Sequence, residues 1–250
     1  MLGIYGIQHR NTRGFTLIEM SIVLVIIGLI IGGILKGQEI IESSRQKNVI
    51  TQIDTIRAAI NTFADKYNAL PGDYRLAVNR LSANVADGSG NGIIGSPSAA
   101  MAALNTLAGD AAENTGFFDH LNAAELISGT TIGGSAATFG GGSIFPQVAI
   151  PGAGMTVAYG NHNPAANSAR ETHWIRIHKD AGGAITEAAG SGAFTGRGLF
   201  QVDLKIDDGN ASAGSARNAG AGVANCANVT GAYSTLGNDQ FCVGYFELVQ

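Results

Sequence analysis

Glu19 is the residue of this chain with the most to explain. It is the one charged side chain in the 21-residue run Phe15–Leu35. As a helix rising ~1.5 Å per residue, that run is ~31 Å long, about the thickness of a bilayer's hydrocarbon core. A carboxylate at membrane depth costs at least ~2.5 kcal/mol on insertion scales. An acid kept there either lies near the interface or has a task, and the chemistry open to it is neutralisation by a cation. Just upstream, Arg10 and Arg13 form a short basic leader that ends at Gly14.

Three ordinary readings of the apolar run fall short. A secretory signal peptide has a core of about 7–15 residues and a small-x-small cleavage site. Here the run is longer and continues into Gly33-Ile34-Leu35-Lys36-Gly37-Gln38-Glu39. A plain signal anchor accounts for the length and the basic flank, but not for Glu19 or the Gly14-Phe15 junction. A buried core helix is rarely apolar all round for so long. The flanking arginines favour a cytoplasmic N-terminus by the positive-inside rule.

The residues Gly14-Phe15-Thr16-Leu17-Ile18-Glu19, followed by Met20-Ser21-Ile22-Val23-Leu24-Val25-Ile26-Ile27-Gly28, resemble the processing signal of type IV prepilins and type II secretion pseudopilins. A weaker likeness, to minor pilins, continues through Tyr67-Asn68-Ala69-Leu70-Pro71-Gly72-Asp73-Tyr74. The resemblance implies cleavage by a prepilin peptidase between Gly14 and Phe15, then N-methylation of Phe15. It implies that Glu19 pairs with the N-terminal amine of a neighbouring subunit during assembly. The expected partners are other pilin or pseudopilin subunits, an inner-membrane assembly platform and membrane lipid. The expected location is the inner membrane, single-pass with the head periplasmic, and then a pilus or a periplasmic filament. Family members often staple a C-terminal loop, and the chain's two cysteines, Cys226 and Cys242, are expected to pair as exported cysteines do. The alternative is a pair of reduced thiols in a cytosolic protein.

Composition agrees with export. Only 14% of residues are charged and 36 are glycine. Losing the two leader arginines takes the formal charge from −4 to −6. An acidic chain argues against nucleic acid as a partner. Gly28 and Gly32, and again Gly33 and Gly37, form G-x-x-x-G pairs that suit close helix packing in lipid, although glycine is common in membrane helices anyway.

One loop imitates a cation site. Asp87, Ser89 and Asn91 stand at positions 1, 3 and 5 of an EF-hand-like stretch, with Gly92 at 6 and Ile93 at 7. With the Ile93 carbonyl they make a calcium ligand set. Ser98 occupies position 12, where a bidentate Glu belongs, so a plain polar turn competes. No other cofactor is expected. His120, His162, His173 and His178 stand at no ligand spacing, and no H-E-x-x-H, G-x-S-x-G or P-loop pattern occurs. A paired-carboxylate hydrolase needs no local motif, so a membrane-tethered periplasmic enzyme or binding protein stands as the alternative to a structural subunit, which is not an enzyme.

The elements that must position these residues read as follows. Val49, Ile53, Ile56, Ile60, Phe63 and Tyr67 continue the helix as one amphipathic face, and Pro71-Gly72 ends it. The expected layout is a leader at 1–14, a helix at 15–68 whose 15–35 part spans the membrane, and a head at 69–250. Segments 117–127 (helix), 172–178 (strand), 199–207 (an alternating strand) and 240–249 (a last strand with Cys242) fill the head. The Gly-rich tracts 129–142 and 181–198 are expected on the surface. The fold class is α+β and pilin-like: a long N-terminal helix packed on an antiparallel sheet with long Gly-rich loops.

Overall fold

The computed structural model describes residues 14–95, 111–161, 171–181, 192–218, 226–227, 231–234 and 242–248. The leader before Gly14, Ser98, His162, residues 240, 241 and 249 of the last expected strand, and the middle of the tract 181–198 lie outside these residues. The chain divides into two compact units, one ending at Ser44 and the other beginning at Arg45.

Helix α1 runs Leu17–Tyr67. Its part in the first unit has no buried residue. In the second unit Gln46, Val49, Ile53, Ile56, Ile60 and Phe63 are buried, at spacings of 3, 4, 3, 4 and 3. This is the expected stripe, extended by Gln46. Each of its five large apolar side chains contributes ~1.5–3 kcal/mol on burial. The helix stops at Asn68, whose φ of 51° is left-handed and whose N–H still reaches the Ala64 carbonyl at 2.8 Å. Asn is one of the few residues that take this conformation at a helix end.

Helices α2 (Ala77–Arg80) and α3 (Ala111–Ala123) follow. Pro71-Gly72 then brings the chain against α3. Gly72 has φ 86°, and a Cβ there would lie 2.5 Å from the Glu113 carbonyl oxygen. Only glycine meets both conditions.

Strands β1 (Gly154–Asn161), β2 (Glu171–His178), β3 (Ala216–Asn218) and β4 (Gly244–Glu247) form one sheet in the order β1-β2-β4-β3, each neighbour antiparallel. The cross-strand row Val157–Ile175–Phe246–Ala216 shares a single core with the α1 stripe. Side chains alternate between faces along a strand. The next row, Thr156–Arg176–Tyr245–Arg217, therefore lies on the opposite face. Arg57 of α1 ties helix to sheet: its Nε and Nη2 donate to the Glu247 carbonyl at 3.1 and 2.6 Å. A disulfide joins Cys226 to Cys242.

Four expectations change. Residues 199–207 are not a strand. They belong to helix α4 (Gly196–Ile206), capped by Thr195, whose hydroxyl accepts from the Gly198 N–H at 3.0 Å. The seven-residue run Phe200–Ile206 alternates in type, but Leu199, Val202, Asp203 and Ile206 also fit a helical face, and the buried ones are Leu199, Val202 and Asp203. A run this short satisfies both periods, and the cap and the burial of Asp203 decide. The last strand is shorter than expected, with Cys242 outside it in an isolated bridge to Phe194. The described end of the tract 181–198 is not surface, since Ala193 and Phe194 are buried.

Helix α3 begins earlier than expected and stops at Ala123 rather than running to Ile127. The Leu126 N–H bonds the Leu121 carbonyl and the Glu125 N–H bonds the Asn122 carbonyl, both at 2.9 Å. This is a Schellman motif with Glu125 at its left-handed position, φ 61°. A non-glycine residue there is strained by about 1 kcal/mol. Glu125→Gly is expected to raise the stability of the head by ~0.5–1 kcal/mol, measured by urea unfolding.

Candidate functional site

The sequence-expected assembly residues sit at the head of α1. Gly14 is exposed, and Phe15 is 81% exposed. Thr16 and Glu19 form a reciprocal capping box. The Glu19 carboxylate accepts the Thr16 N–H and hydroxyl, each at 2.8 Å, and the Thr16 hydroxyl oxygen accepts the Glu19 N–H at 3.3 Å. The signal was present in the sequence as Thr-x-x-Glu, and a reading of Glu19 as a lone acid in an apolar run passes over it. The cap satisfies two donors that a helix start leaves open. It also sets the negative charge at the positive end of the helix dipole. The carboxylate is thus held against Thr16, the residue that follows Phe15, with lone pairs that can take a further cation.

Downstream, α1 is long and apolar enough to cross a membrane, and none of its apolar window is buried. Leu17, Leu24, Leu29 and Leu35 are each at least 60% exposed. A continuous apolar surface of this size marks a contact with lipid or with other apolar helices.

The residues of the calcium-like loop are held in a hydrogen-bonded turn. Asp87 accepts the Val78 N–H at 2.8 Å, and Asn91 accepts the Ile93 N–H at 2.8 Å. The acids that organise the loop are two the EF-hand template does not include. Asp73 accepts the Ser89 hydroxyl at 3.2 Å and the Asn91 and Gly92 N–H groups at 3.0 and 2.7 Å. Glu113 accepts the Ser89 and Gly95 N–H groups at 2.7 and 2.9 Å. Both are buried carboxylates whose charge is met by backbone donors. Asp87 faces α2, Ser89 and Asn91 share Asp73, and Ile93 bonds Asn91.

A second acidic group escaped the sequence reading. Asp203, Asp207 and Asp208 bring carboxylate oxygens within 4.8 Å of one another. Asp203 is buried, accepts the Tyr233 hydroxyl at 2.8 Å, and burial pushes its pKa up to about 6. The three described histidines of the head are structural. His120 Nδ1 accepts the Gly72 N–H at 2.8 Å, and its Nε2 lies 2.7 Å from the Ala86 carbonyl. His173 Nε2 accepts the Ile94 N–H at 3.2 Å and so closes the same loop from the sheet side. His178 Nε2 lies 2.8 Å from the Thr156 hydroxyl.

Residues 9–35 match the family model described as the prokaryotic N-terminal methylation motif, the prepilin-type cleavage and methylation signal of type IV pilins and pseudopilins. The match takes in the basic leader, the junction and the apolar run, and stops there. No curated protein and no solved structure matches the chain.

The stability of the head depends on pH through its buried titratable groups. Burial lowers the His173 pKa from 6.5 to about 4. A lowered histidine pKa means that its contribution is fully present above pH 6.5 and is lost as pH falls towards 4. Asp119 and Asp203, raised by burial from 3.8 to about 6, act in the opposite sense: their contribution is full below 3.8 and is lost as pH rises through 6. His173→Gln removes only the first effect. The stability advantage of wild type over this variant is expected to shrink, by at most about 3 kcal/mol, between pH of about 7 and about 4.5. Urea unfolding of both at several pH values measures it.

Proposed function

We propose that this protein is a structural subunit, a pilin or pseudopilin, of a type IV pilus or a type II secretion-like filament. In this reading the precursor waits in the inner membrane with α1 in lipid and the head in the periplasm. A prepilin peptidase cuts between Gly14 and Phe15 and methylates the new terminus. The amine of Phe15 then carries a positive charge at the edge of the hydrocarbon. Glu19 of an adjacent subunit has its carboxylate oriented by Thr16 and accepts that cation. Attraction between such charges is strong where water is excluded. It also removes the cost of an acid in oil, so the ion pair recruits each subunit at a defined depth. The exposed apolar helices then gather into a filament core.

The observation that carries this reading is the coincidence of three features in one short stretch: the matched motif at 9–35, the Thr16–Glu19 cap, and the fully exposed apolar helix behind it. A tethered enzyme requires only the last. The head contributes shape and surface to the filament.

Mass spectrometry of the protein from its native host is expected to find N-methylated Phe15 as the first residue. A mature protein that still begins at Met1 contradicts the proposal and favours the tether. Glu19→Ala is expected to leave the head folded and to cut incorporation into filaments by an order of magnitude or more, read by comparing sheared filament and membrane fractions. Normal incorporation of that variant would overturn the ion-pair step.

A further inference from the structure

On the sheet face turned away from the α1 stripe, Arg176 is completely buried. Among the described residues no acceptor reaches its Nε, Nη1 or Nη2. A guanidinium carries five N–H donors in a planar fork. Leaving them unmet inside a protein is among the costliest arrangements a side chain can adopt. Two buried acids of the head are treated differently: Asp73 and Glu113 receive three and two donors.

The described neighbours of Arg176 in its cross-strand row include no carboxylate. Thr156 and Tyr245 flank it in register, and Arg217 follows Tyr245 in the same row. Arg217 is buried, lies 5.4 Å from the Trp174 ring, and donates its Nε to the Gly214 carbonyl at 2.8 Å. His178, two residues along β2 on the same face, is also buried; its ring is met by the Thr156 hydroxyl and by the Asp180 backbone. Among the described strand residues of this face the acid is Glu247, which stands opposite Trp174 rather than Arg176 and accepts the Thr172 hydroxyl at 3.4 Å. Burial brings the Arg176 pKa down to about 10, which leaves the group cationic at neutral pH. A Met or Leu of similar volume would fill this place without the desolvation cost.

We propose that Arg176 is the receptor for a small oxyanion enclosed in the head, of the phosphate or carboxylate type. Two oxygens of the anion accept the guanidinium fork side by side, the geometry in which Arg binds such groups best. The bound anion closes the row Thr156–Arg176–Tyr245–Arg217 and becomes part of the folded head.

The test uses the full-length processed protein in detergent micelles, with chloride exchanged at constant ionic strength for inorganic phosphate or, in a parallel series, for acetate. Once the site is saturated, the unfolding constant is expected to fall about tenfold for each tenfold rise in the recognised anion. The series with the stronger response identifies the anion class. Arg176→Met is expected to abolish the response and Arg176→Lys, which keeps the charge without the fork, to weaken it. A wild-type protein indifferent to both anions overturns the proposal. So does an equal response in Arg176→Met, which would be general salt stabilisation, or a crystal structure with water or a carboxylate of this chain on the guanidinium.

Discussion

Between Phe15 and Leu35 the chain presents a helix surface with a single charge, and none of that surface is buried. Withdrawing apolar area from water is worth roughly 25 cal/mol per Å², so this stretch has a strong tendency to enter lipid or to meet its own kind. The one group that resists is the Glu19 carboxylate. The Thr16–Glu19 cap resolves the conflict within a single turn, because the donors that the helix start leaves open are the ones the carboxylate needs. A membrane helix that begins this way carries its acid at a partly compensated cost, and the charge remains available to a cation arriving from outside the helix.

The same logic of donors and acceptors organises the second unit. The chain leaving α1 turns at Asn68, passes the tight approach at Gly72, and delivers Asp73 to the centre of the loop 87–95. Asp73 from below, Glu113 from α3 and His173 from the sheet together hold the backbone N–H groups of that loop. The loop is therefore shaped by buried side chains from three elements. Arg176 is the counterpart on the far side of the sheet: a buried cation whose donors find no such answer among the described residues.

Much of α1 was legible in the residues. A long apolar run has one stable form in lipid, because only a helix satisfies every backbone group internally. The stripe from Val49 to Phe63 needs only the helical period, and β2 was readable because Thr172–His178 is rich in β-branched and aromatic side chains. The end of α3 was not legible. It depends on Glu125 accepting a left-handed conformation, and no side-chain property of Glu signals that. Nor was α4, because Phe200–Ile206 fits both periods and its assignment turns on where Asp203 is buried.

By itself the sequence determined everything that depends on near neighbours along the chain: the apolar length, the placement of Glu19 three residues after Thr16, the junction at Gly14-Phe15 and the helical period of the stripe. These are interactions within one or two helical turns, and residue order alone specifies them. Only the tertiary structure decided which acids hold the 87–95 loop, which face of β2 faces the shared core, that Cys226 lies beside Cys242, and that Arg176 is shut away from water. Those facts depend on segments from 16 to more than a hundred residues apart. Their meeting is set by the register of the sheet and the packing of its two faces, which no local pattern encodes.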